Sequence, residues 1–220
     1  MNNENYANNK VYLTGEIITE PVYSHELFGE GFYEFFMQVP RLSGSIDTLP
    51  VTVSERLLTD QIKVGERIAL SGQFRSYNKI LDDKSKLMLT VFVRDFLPLP
   101  SDDENPNICE LNGYVCKQPV YRTTPFNREI CDLLIAVNRG YNKSDYIPCI
   151  AWGRNARFVR SIKVGQNIQI SGRIQSRKYV KRLDESTAQE RTAYELSVNK
   201  ITCESACVDT ATTYYDGDEE

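Results

Sequence analysis

The sequence predicts an all-β protein made of two small five-stranded barrels in tandem, each with a short helix between its third and fourth strands. Two observations lead to this expectation. One pattern of residues occurs twice along the chain. Each occurrence consists of short runs in which apolar and polar residues alternate, as is typical of half-buried strands. The 220 residues, 41% hydrophobic and 25% charged, suffice for two small soluble domains.

The duplication is visible in two pairs of segments. Residues 11–23 (VYLTGEIITEPVY) match residues 109–121 (CELNGYVCKQPVY) at an offset of 98. Residues 62–76 (IKVGERIALSGQFRS) match residues 162–176 (IKVGQNIQISGRIQS) at an offset of 100. A repeat of this period indicates a tandem array of similar structural units.

The repeats set the expected domain boundaries. We name the N-terminal unit, residues 1–100, copy one, and the C-terminal unit, residues 107–204, copy two. A polar linker at 101–106 joins them, and an acidic tail at 205–220 is expected to be disordered.

Charge is distributed unevenly between these units. The net charge is −6 over residues 1–106, +8 over 107–203 and −6 over 204–220. The formal total of −4 therefore conceals a basic module between two acidic segments.

Each copy contains five predicted strands and one short helical stretch. In copy two the strands are predicted at residues 109–115, 129–138, 146–152, 167–179 and 191–201, with the helix at 154–162. Copy one repeats this order, with Ser54 as the expected N-cap of a helix at 55–62. Gly72 and Gly172 lie inside the long fourth strands, where glycine suits a sharp bend. This order of elements is that of the OB-fold, a Greek-key barrel.

The third and fourth strands of copy two expose an unusual set of side chains. Alternate residues of a strand face the same side. Opposite the apolar face of the fourth strand lie cations, an amide and an aromatic ring: Arg173, Gln175, Arg177, Tyr179 and Lys181. On the third strand Tyr146 and Trp152 point away from the core, although Trp152 taken alone fits a core position equally well. Cations neutralise phosphates and aromatic rings stack on bases, which is the chemistry of sequence-tolerant single-strand binding.

Five stretches of copy two carry a wider pattern: NGYVCKQPVYRTT, LLIAVNRGY, YIPCIAWGRNAR, VGQNIQISGRIQSRKY and YELSVNKI. With these stretches in this order, copy two resembles the DNA-binding domain of bacterial single-stranded DNA-binding proteins. The resemblance implies that bases stack on four rings: Trp152, Tyr146, Tyr179 and Tyr141. Together with the basic pattern it assigns phosphate contacts to six cations: Arg173, Arg177, Lys178, Lys181, Arg139 and Lys143.

Copy one keeps the order of strands but lacks many of the aromatic and basic residues that copy two exposes. Thr48 and Ser54 stand where copy two has Tyr146 and Trp152. A thinner set of candidate residues remains as a secondary, weak site: Arg75, Tyr77, Lys79 and Arg41. The acidic charge of copy one disfavours long-range attraction to a phosphate backbone.

We therefore expect a non-enzymatic protein that binds and protects single-stranded DNA in replication, repair or recombination, mainly through copy two. The alternative is a primosomal-type accessory replication protein that acts mainly through protein contacts. RNA binding also fits a stacking surface. The resemblance implies four OB domains per assembly, and hence a homodimer of this chain. Family members often recruit replication and repair proteins through a terminal Pro-Phe, which this tail lacks.

Other classes of function find little support in the residues. His25 is the single histidine and is expected in a surface loop. The six cysteines include no Cys-x-x-Cys pair, and no phosphate-binding glycine loop or nucleophile elbow occurs. We expect no catalytic residues, metal or cofactor. The polar N-terminus lacks a secretory signal and no apolar run reaches the ~20 residues of a membrane span, so a cytoplasmic protein with reduced cysteines is expected.

Overall fold

The structure is a computed structural model that describes residues 8–58, 62–81, 84–100, 106–182 and 188–203. Most of the expected linker and the whole of the expected acidic tail lie outside the described residues.

Each copy contains six strands, one more than the sequence predicts. Copy one consists of β1 (Asn9–Ile17), β2 (Val22–Leu27), β3 (Glu30–Pro40), β4 (Ile46–Ser54), β5 (Arg67–Leu81) and β6 (Lys84–Leu97). Copy two consists of β7 (Asn107–Val115), β8 (Val120–Thr123), β9 (Glu129–Arg139), β10 (Lys143–Trp152), β11 (Asn167–Arg182) and β12 (Ala188–Cys203), with helix α1 (Gly153–Val159) after β10.

The additional strands are β2 and β8, which pair only with β3 and β9 at the two ends of the sheet. Every residue of β2 is exposed, and β8 buries none of its residues. Neither strand therefore has the alternation of buried and exposed positions by which a strand is recognised in a sequence.

In both copies the remaining five strands close into a barrel. Strand β1 pairs antiparallel with β3 and β5, β4 pairs parallel with β6, and β5 pairs antiparallel with β6. Copy two has the same circuit, from β7 through β9, β10, β12 and β11. Buried aliphatic side chains fill both barrels, with the rings of Phe35 and Phe74 added in copy one, and Ile168 and Ile174 of β11 are fully buried. The prediction of an all-β protein with tandem OB-folds is confirmed.

The two barrels are joined by backbone hydrogen bonding between their first strands. Strands β1 and β7 run antiparallel and align Asn9 with Leu111 and Leu13 with Asn107. Two further backbone bonds extend this junction, from Thr14 N–H to the Pro106 carbonyl and from Asn112 N–H to the Asn8 carbonyl. Both barrels therefore belong to one continuous twelve-stranded sheet.

The helical segments differ between the copies. In copy two, α1 is shorter than predicted and buries Ala156 and Val159 against the barrel. In copy one Ser54 caps the segment as predicted, its side chain accepting a bond from Arg56 N–H at 3.2 Å. Of the helix predicted at 55–62, the structure describes a short 3-10 helix at Glu55–Leu57, and residues 59–61 lie outside the described ranges. Leu57 and Leu58 are partly buried and pack against the core.

Gly72 and Gly172 lie at the bends predicted for the long fourth strands. The register of β5 with β6 shifts between Ser71 and Gly72, and that of β11 with β12 shifts between Ser171 and Gly172. A Cβ atom on Gly72 would overlap the carbonyl oxygen of Phe92, and one on Gly172 would overlap that of Ser197. Only glycine lets the neighbouring backbone approach this closely at the bulge.

We predict that Gly172→Ala lowers the free energy of unfolding by about 1–3 kcal/mol, the usual cost of forcing extra volume into a packed site. The overlap is with backbone, which cannot rotate away as a side chain can. The measurement is the urea unfolding midpoint, with Ser171→Ala at the adjacent bulge position as the matched control. Equal midpoints for the two variants would contradict this account of the bend.

Candidate nucleic-acid interface

The outer face of copy two, meaning the side of β10, β11 and β12 that points away from the barrel core, carries Trp152. This side chain is 38% exposed, so it is not a core residue. Its indole N–H donates to Ser197 Oγ on β12 at 3.2 Å, which fixes the orientation of the ring across the sheet. Ile150 has the same strand parity but is buried. The outer face therefore presents the oriented ring of Trp152 beside the buried side chain of Ile150.

Three tyrosines accompany Trp152 at different places. Tyr146 is 45% exposed near the start of β10, and Tyr179 is 36% exposed on β11. The Arg177 guanidinium carbon lies 5.9 Å from the centre of the Tyr179 ring, within the range of a cation–π contact. Tyr141 is almost fully exposed in the turn between β9 and β10 and has a left-handed backbone conformation, with φ of 61°. The structure thus leaves all four predicted stacking rings accessible.

Four of the six predicted phosphate-binding cations lie on β11, and two of these contact acids within copy two. Arg177 Nε lies 3.4 Å from Glu195 Oε1, and Lys178 Nζ lies 3.2 Å from Glu190 Oε1. Both cations remain at least half exposed. Glu195 is buried, and its carboxylate also accepts a bond from the Gln175 amide at 2.8 Å. Arg177 is therefore held against the outer face with its guanidinium still open to solvent.

The other predicted phosphate contacts are less uniform in their surroundings. Lys143 is exposed at the start of β10. Lys181 pairs with Gln189 in the β11–β12 hairpin, and its side chain lies outside the described residues. Arg139 lies beside Asp145 at 3.3 Å, close to the junction of the copies.

Arg173 occupies the boundary between the two copies. One of its guanidinium nitrogens lies 2.6 Å from Asp47 Oδ2 of copy one, and Arg41 binds the same carboxylate at 2.5 Å. Asp47 is fully buried and also accepts the Ser176 backbone N–H at 2.8 Å. Burial alone would raise the pKa of Asp47, but the bonds from Arg41 and Ser176 and the nearby Arg173 charge together lower it. The structure thus engages Arg173 and Arg41, both predicted to face DNA, in this ionic contact.

A second aspartate makes the corresponding contact from copy two to copy one. Asp145 of copy two accepts the Ser76 backbone N–H of copy one at 2.8 Å. Arg139 lies beside Asp145. The position on β5 that corresponds to Arg173 on β11 is Gln73, so Asp145 has no counterpart of the Arg173 contact. Burial of this less compensated carboxylate raises the pKa of Asp145. The Asp47 and Asp145 contacts are therefore related by the duplication, but the positive charge around the two carboxylates differs.

The predicted secondary site in copy one is only partly assembled. Arg75, Tyr77 and Lys79 follow one another on the outer side of β5, whereas Arg41 is tied to Asp47. The Tyr77 hydroxyl donates to Glu34 Oε1 at 3.2 Å. Burial, followed by the Glu34 charge and this bond, raises the pKa of Tyr77 to about 12. The Arg75 guanidinium lies over the ring of Phe92, 3.7 Å from its centre.

Comparisons with known proteins identify the pattern in copy two. The model of the family described as "Single-strand binding protein family" matches residues 106–203. A single-stranded DNA-binding protein 1 of Clostridium acetobutylicum is 40% identical over 79 residues, covering 31% of this chain and 70% of the relative. The chain belongs to this single-strand binding protein family.

Other members of the family are matched over less of their length. The single-stranded DNA-binding protein 1 of Staphylococcus aureus is 36% identical over 76 residues, and the match covers 31% of this chain but only 46% of that protein. The predicted family is thus confirmed, and its members are named as binding proteins, which supports the expectation of a non-enzyme.

Among solved structures, the wild-type single-stranded DNA binding protein of Thermus aquaticus has a TM-score of 0.70 at 18% identity. The match covers 90% of this chain and 93% of that chain. At this identity the likeness establishes the fold, and its coverage includes both copies.

Sequence reasoning missed the residues that join the copies. Asp47 and Asp145 recur at the offset of 98, and Ser76 and Ser176 at the offset of 100. The retention of these polar residues in both copies was the signal that would have found them. Glu195 and Phe92 occur in only one copy each, so the repeat gave no indication of their positions.

The remaining candidate groups are structural in character. His25 lies in β2 rather than in the predicted loop, because it pairs with Phe32 and stacks on that ring at 5.0 Å. Burial raises the pKa of the Cys109 and Cys149 thiols. Within the described ranges, no cluster of metal-ligating side chains occurs and no helix is long and apolar enough to cross a membrane.

We predict that Asp47→Asn lowers the free energy of unfolding by about 3 kcal/mol at neutral pH, because Arg41 and Arg173 lose their shared buried partner. Asp145→Asn is the matched control and costs less, since the raised pKa of Asp145 means that its charge is less well stabilised in the fold. Urea unfolding of both variants at pH 7 measures the difference.

The same variants give a pH dependence. The lowered pKa of Asp47 means that its stabilising effect is complete at neutral pH and is lost as the pH falls through that value. The difference in the free energy of unfolding between the wild-type protein and Asp47→Asn therefore becomes smaller in acid. A gap that stays constant down to pH 2 would contradict the assigned ionic contact.

Proposed function

We propose that the protein binds single-stranded DNA through the outer face of copy two, with little preference for sequence. The carrying observation is that Trp152, oriented by Ser197, shares an accessible face with Tyr179 and the cation Arg177. Binding of this kind coats and protects single strands during replication, repair or recombination. We place it in the cytoplasm, where such strands arise.

The aromatic residues would bind the bases. Trp152, Tyr146 and Tyr179 have between 36% and 45% of their surface exposed, which leaves a ring face for stacking while the rest of the ring packs on the barrel. Tyr141 would act from the turn beyond β9. Stacking contributes about 1–3 kcal/mol per base and accepts every base, because each base has a π-face.

The cations would bind the phosphates. We assign Arg177, Lys178, Lys143 and Lys181 to this role, and Arg173 and Arg139 chiefly to holding the aspartates between the copies. The acids Glu195 and Glu190 would lose their cations in part when phosphate binds, which lowers the net gain per contact. Because counterions are released from the DNA, affinity should fall as salt rises.

Trp152 provides the first test, since it is the only tryptophan and so its fluorescence reports on this face alone. Oligo-dT should quench Trp152, and raising the salt should weaken the binding. Trp152→Ala should cost about 1–3 kcal/mol of affinity, followed by polarisation of labelled oligo-dT. Phe158→Ala, which removes a half-exposed ring from α1, is the matched control and should bind normally.

The proposal fails if oligo-dT does not quench Trp152 fluorescence and if the polarisation of labelled oligo-dT does not rise when the protein is added. The primosomal-type accessory role through protein contacts would then be preferred. Competition by oligo-rU and by duplex DNA in the same assay measures the preference for DNA over RNA and for single strands over duplex.

Arg173 and Arg177 should separate in their effects, although both lie on β11. Arg177→Gln should reduce the slope of log affinity against log salt by about 1, as expected for a lost phosphate contact. Arg173→Gln should lower the unfolding midpoint and leave that slope unchanged, because its guanidinium binds Asp47. A reduced salt slope for Arg173→Gln would return this residue to the phosphate-binding set.

We also propose that two chains pair, so that four barrels assemble. Support comes from exposed apolar side chains on the joined first strands: Tyr12, Ile108 and Tyr114, each 45–46% exposed. Tyr12 and Ile108 are paired neighbours across the β1–β7 junction. The mass of the protein in solution by light scattering tests this, and Ile108→Glu should yield a folded single chain.

A further inference from the structure

We infer that copy one carries a second base-stacking site for single-stranded DNA, centred on Phe92 of β6, a strand that carries no stacking ring in copy two. The inference rests on the proposed function of copy two. It concerns a half of the chain that lies outside the family match at residues 106–203.

Phe92 is the centre of a cluster of rings and guanidinium groups on the outer side of copy one. The guanidinium carbon of Arg75 lies 3.7 Å from the centre of its ring and that of Arg94 lies 5.4 Å away. The ring of Phe32 is 5.6 Å from that of Phe92, and His25 stacks on Phe32 at 5.0 Å with an interplanar angle of 15°. We call these five residues the Phe92 cluster.

The cluster is a relocation of the aromatic surface of copy two to the neighbouring strand. Thr52 pairs with Phe92 in copy one, and Ile150 pairs with Ser197 in copy two, so Phe92 occupies the position of Ser197. Trp152, whose indole N–H binds Ser197, is replaced by Ser54. Copy two thus places a ring on β10 and a hydroxyl on β12, and copy one places a hydroxyl on β4 and a ring on β6.

The geometry of the cations fits stacking ligands. Gln73 Oε1 accepts bonds from Arg75 at 2.7 Å and from Arg94 at 3.2 Å, which orients both guanidinium groups at the Phe92 ring. A planar guanidinium held on an aromatic ring offers a further flat surface for a base and a charge for the adjoining phosphate. Arg94 is exposed, and Tyr77 and Lys79 continue the same side of β5.

The two outer faces adjoin at the boundary between the copies. The backbone N–H of Tyr146, a proposed stacking residue of copy two, donates to Ser76 Oγ of copy one at 2.7 Å. Ser76 lies between Arg75 and Tyr77 in β5. A DNA strand bound at Tyr146 that continues past the boundary would therefore reach copy one next to the Phe92 cluster.

This arrangement explains how an acidic copy can bind DNA. Its net charge gives little long-range attraction, but a strand already held by copy two is presented to copy one at a high effective concentration. Copy one would then add to affinity only for oligonucleotides long enough to span both copies.

The experiment compares short and long oligo-dT with the full chain. A single OB-fold covers about 4–16 nucleotides, so lengths of about 10 and about 35 nucleotides distinguish one copy from two. The wild-type protein should bind the longer strand at least about 10-fold more tightly than the shorter one. Phe92→Leu, which keeps an apolar side chain, and Arg94→Gln should each remove at least about 3-fold of that advantage. Neither variant should change affinity for the short strand.

Phe28→Leu is the matched control, because it removes an almost fully exposed ring of copy one outside the cluster. Thermal unfolding of each variant separates a lost contact from a lost fold. Photocrosslinking of 5-iododeoxyuridine in the long strand should label the peptide that contains Phe92.

Unchanged length dependence in Phe92→Leu, with no crosslink to copy one, would overturn the inference and favour a protein partner for this surface. Equal affinity of the wild-type protein for both lengths would also overturn it while the proposed function of copy two stands. Failure of both lengths to bind would refute the two proposals together.

Discussion

Two buried aspartates and a shared pair of first strands hold the two barrels in one orientation, and the proposed continuation of the binding surface from copy two onto copy one depends on that orientation. Asp47 accepts the backbone N–H of Ser176, and Asp145 accepts that of Ser76, so each copy bonds to the backbone within a long strand of the other. A backbone N–H that would otherwise lie unpaired at the boundary is satisfied in each case. The outer faces can adjoin only because these contacts and the β1–β7 ladder fix the barrels relative to each other.

The repeat and the alternation of residues were enough to predict the barrels, the glycine bends and the faces of the long strands. What they could not predict depends on contacts between distant segments. Strand β2 exposes all its residues and exists only because β3 offers a free edge. The strand parity of Arg173 was predicted correctly, but parity alone cannot reveal that Asp47, far away in the sequence, lies opposite it. Likewise the sequence left Trp152 open between the core and the surface, and its 38% exposure in the folded barrel decides for the surface.

Divergence between the copies has changed charge more than shape. Each barrel keeps the same circuit of strands, and each keeps the aspartate and serine at the boundary. Gln73 stands at the counterpart of Arg173, so Asp145 lacks the ion pair that Arg173 gives Asp47, and the nearby charges of Asp145 are those of Arg139 and Arg75. On the outer faces, exchanging which strand supplies the ring preserves an aromatic surface while its neighbours change. A rigid frame tolerates such exchanges because each alters side chains without moving the backbone that positions them.

The covalent joining of unlike barrels removes a symmetry that two identical chains would have. In a pair of identical subunits, an elongated ligand meets the same surface whichever way round it lies. Here β1 and β7 are paired antiparallel, yet one belongs to an acidic barrel and the other to a basic barrel. A nucleic-acid strand lying across both barrels would meet different chemistry at its 5′ end and at its 3′ end. The two directions in which a strand can lie across the fused pair are therefore not equivalent.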